Sequence, residues 1–373
     1  MGWPAAVSFD VSNTFSASYG QARTKFRDAC RNAGLEVTSF RNPAPGPNGQ
    51  DLTTDVALFG PESAKNIVVV VSGTHGPEGY AGSGCQIGWV REGGPENLPD
   101  DVAVLLIHLI NPWGTAWGRR QTEDNVDLNR NFLDFTKPLP RNELYSELQS
   151  VIHCPVLKGQ GRDEARRTIE EFSVTHGPQA LAQALFMGQY QDPRGVGYGG
   201  NSPTWSNKTF IQILKEYVGA AQTVALIDLH TGYGPYGYGM LLNTDEAESP
   251  ELQMAREWYG ESLIAMKADA GGVPYDVAGD LGAGARKALP DATLVPIAIE
   301  YGTYAVDRLL SLQLDDCWLH NHDDPVSPVG RDIRAKLRRF FYPETLDWCQ
   351  MVHARAQQVI GQAIHGLSSE IRL

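Results

Sequence analysis

Four short runs of almost uninterrupted apolar, β-favouring residues occur along the chain: Ile67 to Val71, Val102 to Leu109, Thr223 to Leu229 and Thr293 to Ile299. Each stops abruptly at glycine, proline or polar residues. A strand with one wet face alternates apolar and polar side chains. A run that does not alternate must bury both faces, as a sheet covered by helices on each side requires. Helical patterns over Asn13 to Ala33, Gly82 to Glu92, Glu164 to Phe172, Lys208 to Ala221, Glu251 to Ala270 and Thr345 to Leu367 separate or flank the runs. The fold class is therefore α/β. At 373 residues the chain suits one large domain, 1–373. Residues 137–207 separate two of the strands by more than a crossover needs, so we read them as an insertion covering one end of the sheet.

Composition narrows the function. The chain carries 31 Lys and Arg against 44 Asp and Glu, a net charge of −13, which disfavours binding to nucleic-acid phosphates or anionic membranes. No apolar run approaches the roughly 20 residues of a membrane span. The five cysteines are scattered and never form a CxxC arrangement, so neither disulfides nor a thiolate metal site is suggested. With no basic or apolar leader at Met1, the expected location is the cytoplasm.

In open α/β sheets reactive residues gather beyond the carboxyl ends of strands. The first run ends in VVVVSGTHGPEGY, the second in LLIHLINPWGTAWGRRQTEDNVDLNRNF, the third in VALIDLHTGYG and the fourth in TLVPIAIEYGT. His75-x-x-Glu78 offers two ligands of the kind a catalytic zinc site combines into His2Glu, with a fourth position left for water. The motif alone is unspecific: 9 histidines among this many acids give about one such spacing by chance, and His320-x-x-Asp323 is a second instance. His230, ending the third run, is where a third ligand should stand, so His75, Glu78 and His230 are the expected metal set. Glu300, ending the fourth run, is positioned to take a proton from water and give it to a leaving nitrogen. The polar stretch from Arg119 to Arg130 offers guanidinium groups for a carboxylate or a developing oxyanion.

Together, His75-x-x-Glu78, the arginine, Asn125-Val-Asp127-Leu-Asn129-Arg130-Asn131-Phe132, His230 and Glu300 resemble the zinc carboxypeptidase superfamily, which also contains succinylglutamate desuccinylase and aspartoacylase. The resemblance runs from about Asn66 to Thr303 and is greatest to a carboxypeptidase-like bacterial branch. It implies a mixed, mostly parallel twisted sheet between helices, with zinc on His75, Glu78 and His230. It further implies Glu300 as general base and acid, and Arg120 as the oxyanion residue, although Arg119 is adjacent and not separable from it. Asn129 and Arg130 would hold the substrate carboxylate, and Asp127 would accept a hydrogen bond from His75. Tyr275 is a possible counterpart of the mobile tyrosine of digestive carboxypeptidases. The expected function is zinc-dependent cleavage of an amide beside a free carboxylate. The substrate would be a small peptide or, alternatively, an N-acyl amino acid.

Other readings are weaker. Neither Ser72 nor Ser83 lies in a nucleophile elbow, and GDLGAGARKAL lacks the third glycine of a dinucleotide fingerprint. His320, His322, Asp323 and Asp324 read as a solvated loop, and His176 has Gln179 where a ligand acid would stand. A non-catalytic protein that keeps the pocket, or a structural zinc module, would be the readings of a different class.

Overall fold

The computed structural model describes residues 9–267 and 278–369. Eight strands among them form one sheet: β1 (Thr38–Asn42), β2 (Leu52–Phe59), β3 (Asn66–Ser72), β4 (Val102–His108), β5 (Thr223–Tyr236), β6 (Gly239–Asn243), β7 (Leu263–Ala265) and β8 (Thr293–Gly302). Their order is β1-β2-β4-β3-β5-β8-β6-β7. The central strands β4, β3, β5 and β8 are mutually parallel, β6 and β7 pair in parallel, and the β1–β2, β2–β4 and β6–β8 pairs are antiparallel. The four apolar runs are these four central strands.

Burial explains their composition. On β3, Val68 and Val70 join an apolar cluster containing Phe26, Cys85, Trp348 and Val352, while Ile67, Val69 and Val71 join another containing Phe210, Ile213 and Leu281. Helices thus cover both faces. The edge hairpin β1–β2 escapes the apolar pattern because Thr53, Thr54 and Asp55 are buried and polar. Asp55 is neutralised by Arg23 at 2.9 Å and accepts hydrogen bonds from Ser39 and Thr53.

Helix boundaries differ from the expected ones for local reasons. The first long helix is Tyr19–Asn32, starting late because the Ser18 side chain caps it by accepting from the Gln21 N–H. The pattern over Glu251 to Ala270 is not one helix. It is the helix Pro250–Tyr259, which Gly260 ends at φ 80°, followed by β7. His320 and His322 lie not in a loop but in the last turns of the helix Asp307–His322.

Residues 137–207 contain the helices Glu143–Ile152, Gln160–His176 and Pro178–Phe186. They pack around Tyr145, Phe172 and Leu185, and against Leu314 and Cys317 of the helix Asp307–His322, in an apolar cluster separate from both sheet faces. No described helix is long and apolar enough to cross a membrane.

Candidate metal centre

The turn after β3 carries His75 and Glu78. Gly76 sits where it does because a Cβ there would collide with the backbone of Gly114 and Arg119, and its N–H donates to the Arg120 carbonyl at 3.3 Å. Glu78 precedes the buried helix Gly79–Arg91, at the positive end of its dipole. His230 stands on β5 in register with Glu300 on β8. The His75–Glu78 turn, His230 and Glu300, far apart in the chain, therefore meet where β3 ends; β5 itself continues past His230 to Tyr236, beyond the end expected from the apolar run.

His75 and His230 are each held by a carboxylate on the outer nitrogen. His75 Nε2 donates to Asp127 Oδ1 at 3.0 Å, and His230 Nε2 donates to Asp228 Oδ2 at 2.6 Å. This leaves the two Nδ1 atoms facing each other at 3.2 Å, each 3.0 Å from an oxygen of Glu78. All three side chains are buried, and their candidate ligand atoms lie within 4.8 Å of one another. Among the described residues this is the one such group of three or more metal-ligating side chains. Two inner lone pairs and a carboxylate aimed at one point fit a cation held by His2Glu. Asp228 was not among the sequence-based site residues. Its signal was its position two residues before His230, on the same face of the strand.

Charge in the cluster is shared. Burial alone would raise the Glu78 carboxyl, but His75, His230 and Arg120 hold it well below the usual range. Burial likewise works against ionised Asp127, and Arg120 and His75 outweigh it, pulling the carboxyl well down. Burial opposes charge on His230, yet Asp228 and Glu78 raise its imidazole well above the ordinary value. Glu300 goes the other way: burial and the nearby Glu78 push it up to about 7, against His230 and Arg120. Its Oε2 is buried with no hydrogen-bond partner among the described residues.

The two arginines separate. Arg120 Nη1 donates to Glu78 at 2.9 Å and Nη2 to Asp127 at 3.4 Å, whereas Arg119 turns away to Asp316 at 3.1 Å and Asn125 at 2.5 Å. Asn129 and Arg130 both line the same cavity of about 800 Å³ as His75, Asp127, His230 and Glu300. Asn129 Oδ1 accepts from the Leu281 N–H, so its Nδ2 is left to donate. Arg130 is buried and more committed than a free clamp: its Nε, Nη1 and Nη2 donate to the carbonyls of Met187, Asn129 and Phe186. Each Nη keeps a second N–H.

Residues 137–207 brace this loop. The Asp127 N–H donates to the Tyr198 carbonyl at 2.7 Å, and the Asn131 amide donates to the carbonyls of Gly199 and Ser202. Their helices also line the cavity through Ile169, Leu181 and Leu185. The remaining sequence candidates stand apart from it. Desolvation pushes His320 down to about 4 beside Asp316 and Arg119, and His176 stacks on Phe172. Tyr275 lies outside the described residues.

The chain is similar to several solved structures. It matches a carboxypeptidase A from Helicoverpa armigera at 12% identity and TM-score 0.47, covering 88% of this chain and 74% of that one. It matches bovine thrombin-activatable fibrinolysis inhibitor, in complex with tick carboxypeptidase inhibitor, at 10% identity and TM-score 0.47, covering 96% and 99%. The succinylglutamate desuccinylase from Chromobacterium violaceum matches at 13% identity and TM-score 0.34, covering 84% and 76%. No curated protein matches the sequence. A family model matches residues 15–355, a span that takes in the whole cluster from His75 to Glu300, and the chain therefore belongs to the family DUF2817, described as a protein of unknown function.

Proposed function

We propose that the chain is a zinc-dependent hydrolase that cleaves an amide bond beside a free carboxylate, in a carboxypeptidase-type reaction on small peptides or peptide-like substrates. The observation that carries this reading is the pair of opposed Nδ1 atoms, each 3.0 Å from Glu78 while both Nε2 atoms are tied to carboxylates. Bound there, zinc supplies a Lewis acid for the carbonyl and lowers the pKa of water. The chain's own residues do the rest. Glu300, raised to about 7 and with Oε2 unpartnered, takes a proton from the attacking water and returns it to the leaving nitrogen. Arg120 donates to the carbonyl oxygen as negative charge builds on it. Asn129 Nδ2 and the remaining N–H groups of Arg130 hold the substrate carboxylate. Asp127 and Asp228 keep the imidazoles in the tautomer that turns Nδ1 inward.

We read 1–373 as one catalytic domain in which the insertion 137–207 narrows the mouth, which favours small substrates. The apolar wall of Ile169, Leu181 and Leu185 also suits an acyl chain, so N-acyl amino acid deacylation is the second reading of the same machinery. Five buried, unpaired cysteines suit a cytoplasmic setting, and the net charge of −13 argues against a nucleic-acid partner.

The test is elemental analysis of the purified protein, coupled to release of amine from dipeptides and N-acyl amino acids before and after chelation. We expect about one zinc per chain and chelator-sensitive turnover, with the preferred series choosing between the two substrates. Absence of bound metal, with no activity after zinc is added, would sink the reading. Bound zinc without turnover would instead favour a non-catalytic zinc-binding protein.

A further inference from the structure

The cavity extends from the metal centre to a wall built from Arg162, Ala165 and Ile169 of the helix Gln160–His176, Leu181 and Leu185 of the next helix, and Leu314 of the helix Asp307–His322. In that largely apolar wall Arg162 is the buried charged group. Its side chain is 3% exposed, and arginine is rarely buried so fully unless its donors are paired. Nη2 donates to Asp315 Oδ1 at 2.5 Å, but Nε and Nη1 are buried with no hydrogen-bond partner among the described residues. Buried donors left unmade are costly, so stability does not account for the residue.

Nor does helix formation account for it. Arg162 is in the first turn, at the positive end of the helix dipole, where a cation is disfavoured, and the N-cap Gly159 contributes no side-chain hydrogen bond. Arg166, one turn further on, lines the same wall, while the acids Glu170 and Asp307 that also line the cavity are at exposed positions. A buried guanidinium with spare donors, set among Ala165, Ile169, Leu181 and Leu185 on the wall of a cavity that already holds two arginines, is matched by a carboxylate with an apolar stretch behind it.

We propose that Arg162 binds a second carboxylate of the substrate, so that the substrate class is dicarboxylic. One carboxylate lies beside the metal centre on Asn129 and Arg130, and the other lies an apolar stretch away on Arg162. The first carboxylate rests on the hydrolase reading; the second rests on Arg162 alone.

Two matched pairs test this on the zinc-loaded enzyme: N-succinyl-phenylalanine against N-butyryl-phenylalanine, and N-acetyl-α-aminoadipate against N-acetyl-norleucine. A carboxylate met by a charge-assisted bond to Arg162 should raise kcat/KM at least about tenfold over its neutral partner in one pair, and that pair tells which side of the scissile bond faces Arg162. In R162M/D315N, which removes both members of the ion pair, the ratio should fall close to one. Calorimetric affinities for the same four compounds should follow the same pattern, which keeps the test readable if nothing is hydrolysed. No preference in either pair in the wild-type protein, by turnover or by affinity, overturns the proposal whether or not the variant folds. So does a preference that survives in R162M/D315N. Turnover without such a preference leaves the hydrolase reading standing and removes only the role of Arg162; a preference in affinity without any turnover does the reverse.

Discussion

Asp228 offers a graded test of the metal centre. Its Oδ2 accepts from His230 Nε2 at 2.6 Å and its Oδ1 accepts from the Thr74 hydroxyl at 2.7 Å, and the residue is buried. Asp228→Asn keeps one oxygen for Nε2–H and turns an amide toward Thr74, whose hydroxyl can rotate to accept. The charge is lost but the tautomer is kept. A neutral hydrogen bond is about half as strong as a charge-assisted one, so zinc affinity should fall about tenfold, or ~1.4 kcal/mol. Asp228→Ala leaves Nε2–H buried without an acceptor and lets the proton move to Nδ1, the nitrogen that must stay bare to bind a cation. The loss should then approach the upper end for such partners, about 100-fold, or ~2.7 kcal/mol. Equilibrium competition against a chromophoric zinc chelator at constant pH measures all three proteins, with circular dichroism confirming that each is folded. Affinities within about twofold of one another across the series, or a larger loss for the asparagine than for the alanine, would refute the assignment of Nδ1 as the ligand atom.

Four further outcomes follow. Glu300→Gln should lower turnover by about 10²- to 10⁴-fold while zinc stoichiometry is unchanged, and retained turnover would remove Glu300 from its role. Gly76→Ala forces a methyl group into the backbone of Gly114 and Arg119, so thermal unfolding should show a loss of about 3 kcal/mol; an unchanged midpoint would mean that the two loops are not in contact. Burial pushes His108 down to about 3, so below the ordinary value of about 6.5 the unfolded chain binds a proton that the fold excludes, and stability falls as pH falls. At pH 5 this amounts to about 2 kcal/mol, and urea titrations at pH 7.5 and 5 should show His108→Gln losing that much less than the wild type; equal losses would sink the account. Chelation should leave the far-ultraviolet dichroism intact and lower the melting temperature only by the ligand-linkage amount, whereas collapse of the signal would make zinc a structural element.

Legibility in the sequence followed burial. Strands β3, β4, β5 and β8 declared themselves because both faces are covered, whereas β6 and β7 are five and three residues long, too short to show a period. β2 hides because the charge of Asp55 is neutralised by Arg23 from another element, and nothing local reveals such a partner. His75, Glu78, His230 and Glu300 were readable because each ends an apolar run or follows one closely. Arg119 and Arg120 could be told apart only in three dimensions, since the difference lies in Asp316 on a helix nearly two hundred residues away. Arg162 was invisible for the same reason. In the sequence it is one of several charges on an amphipathic helix, and only the packing of three helices against Asp307–His322 buries it.

Why these residues meet follows from strand order. β3 lies between β4 and β5, so the chain leaves β3 toward one side and returns later on the other, and the loops after β3 and β4 open a crevice at their carboxyl ends. β3 supplies His75 and Glu78 to that crevice, and the loop after β4 closes over it with Arg120 and Asp127, stitched by the Gly76 N–H to the Arg120 carbonyl. β5 and β8, pairing His230 with Glu300, set the carboxyl proposed to handle the proton beside the imidazole proposed as a ligand through backbone register alone. The core strands bury their apolar faces whatever occupies the crevice. The proposed ligand set is therefore assembled by the sheet, and the carboxylates of Asp127 and Asp228 need only turn two rings already in place. What the sheet does not provide is a wall on the far side of the crevice. That wall comes largely from residues 137–207, through Ile169, Leu181 and Leu185, so on the proposed reading substrate selection rests on a segment that the sheet itself does not position.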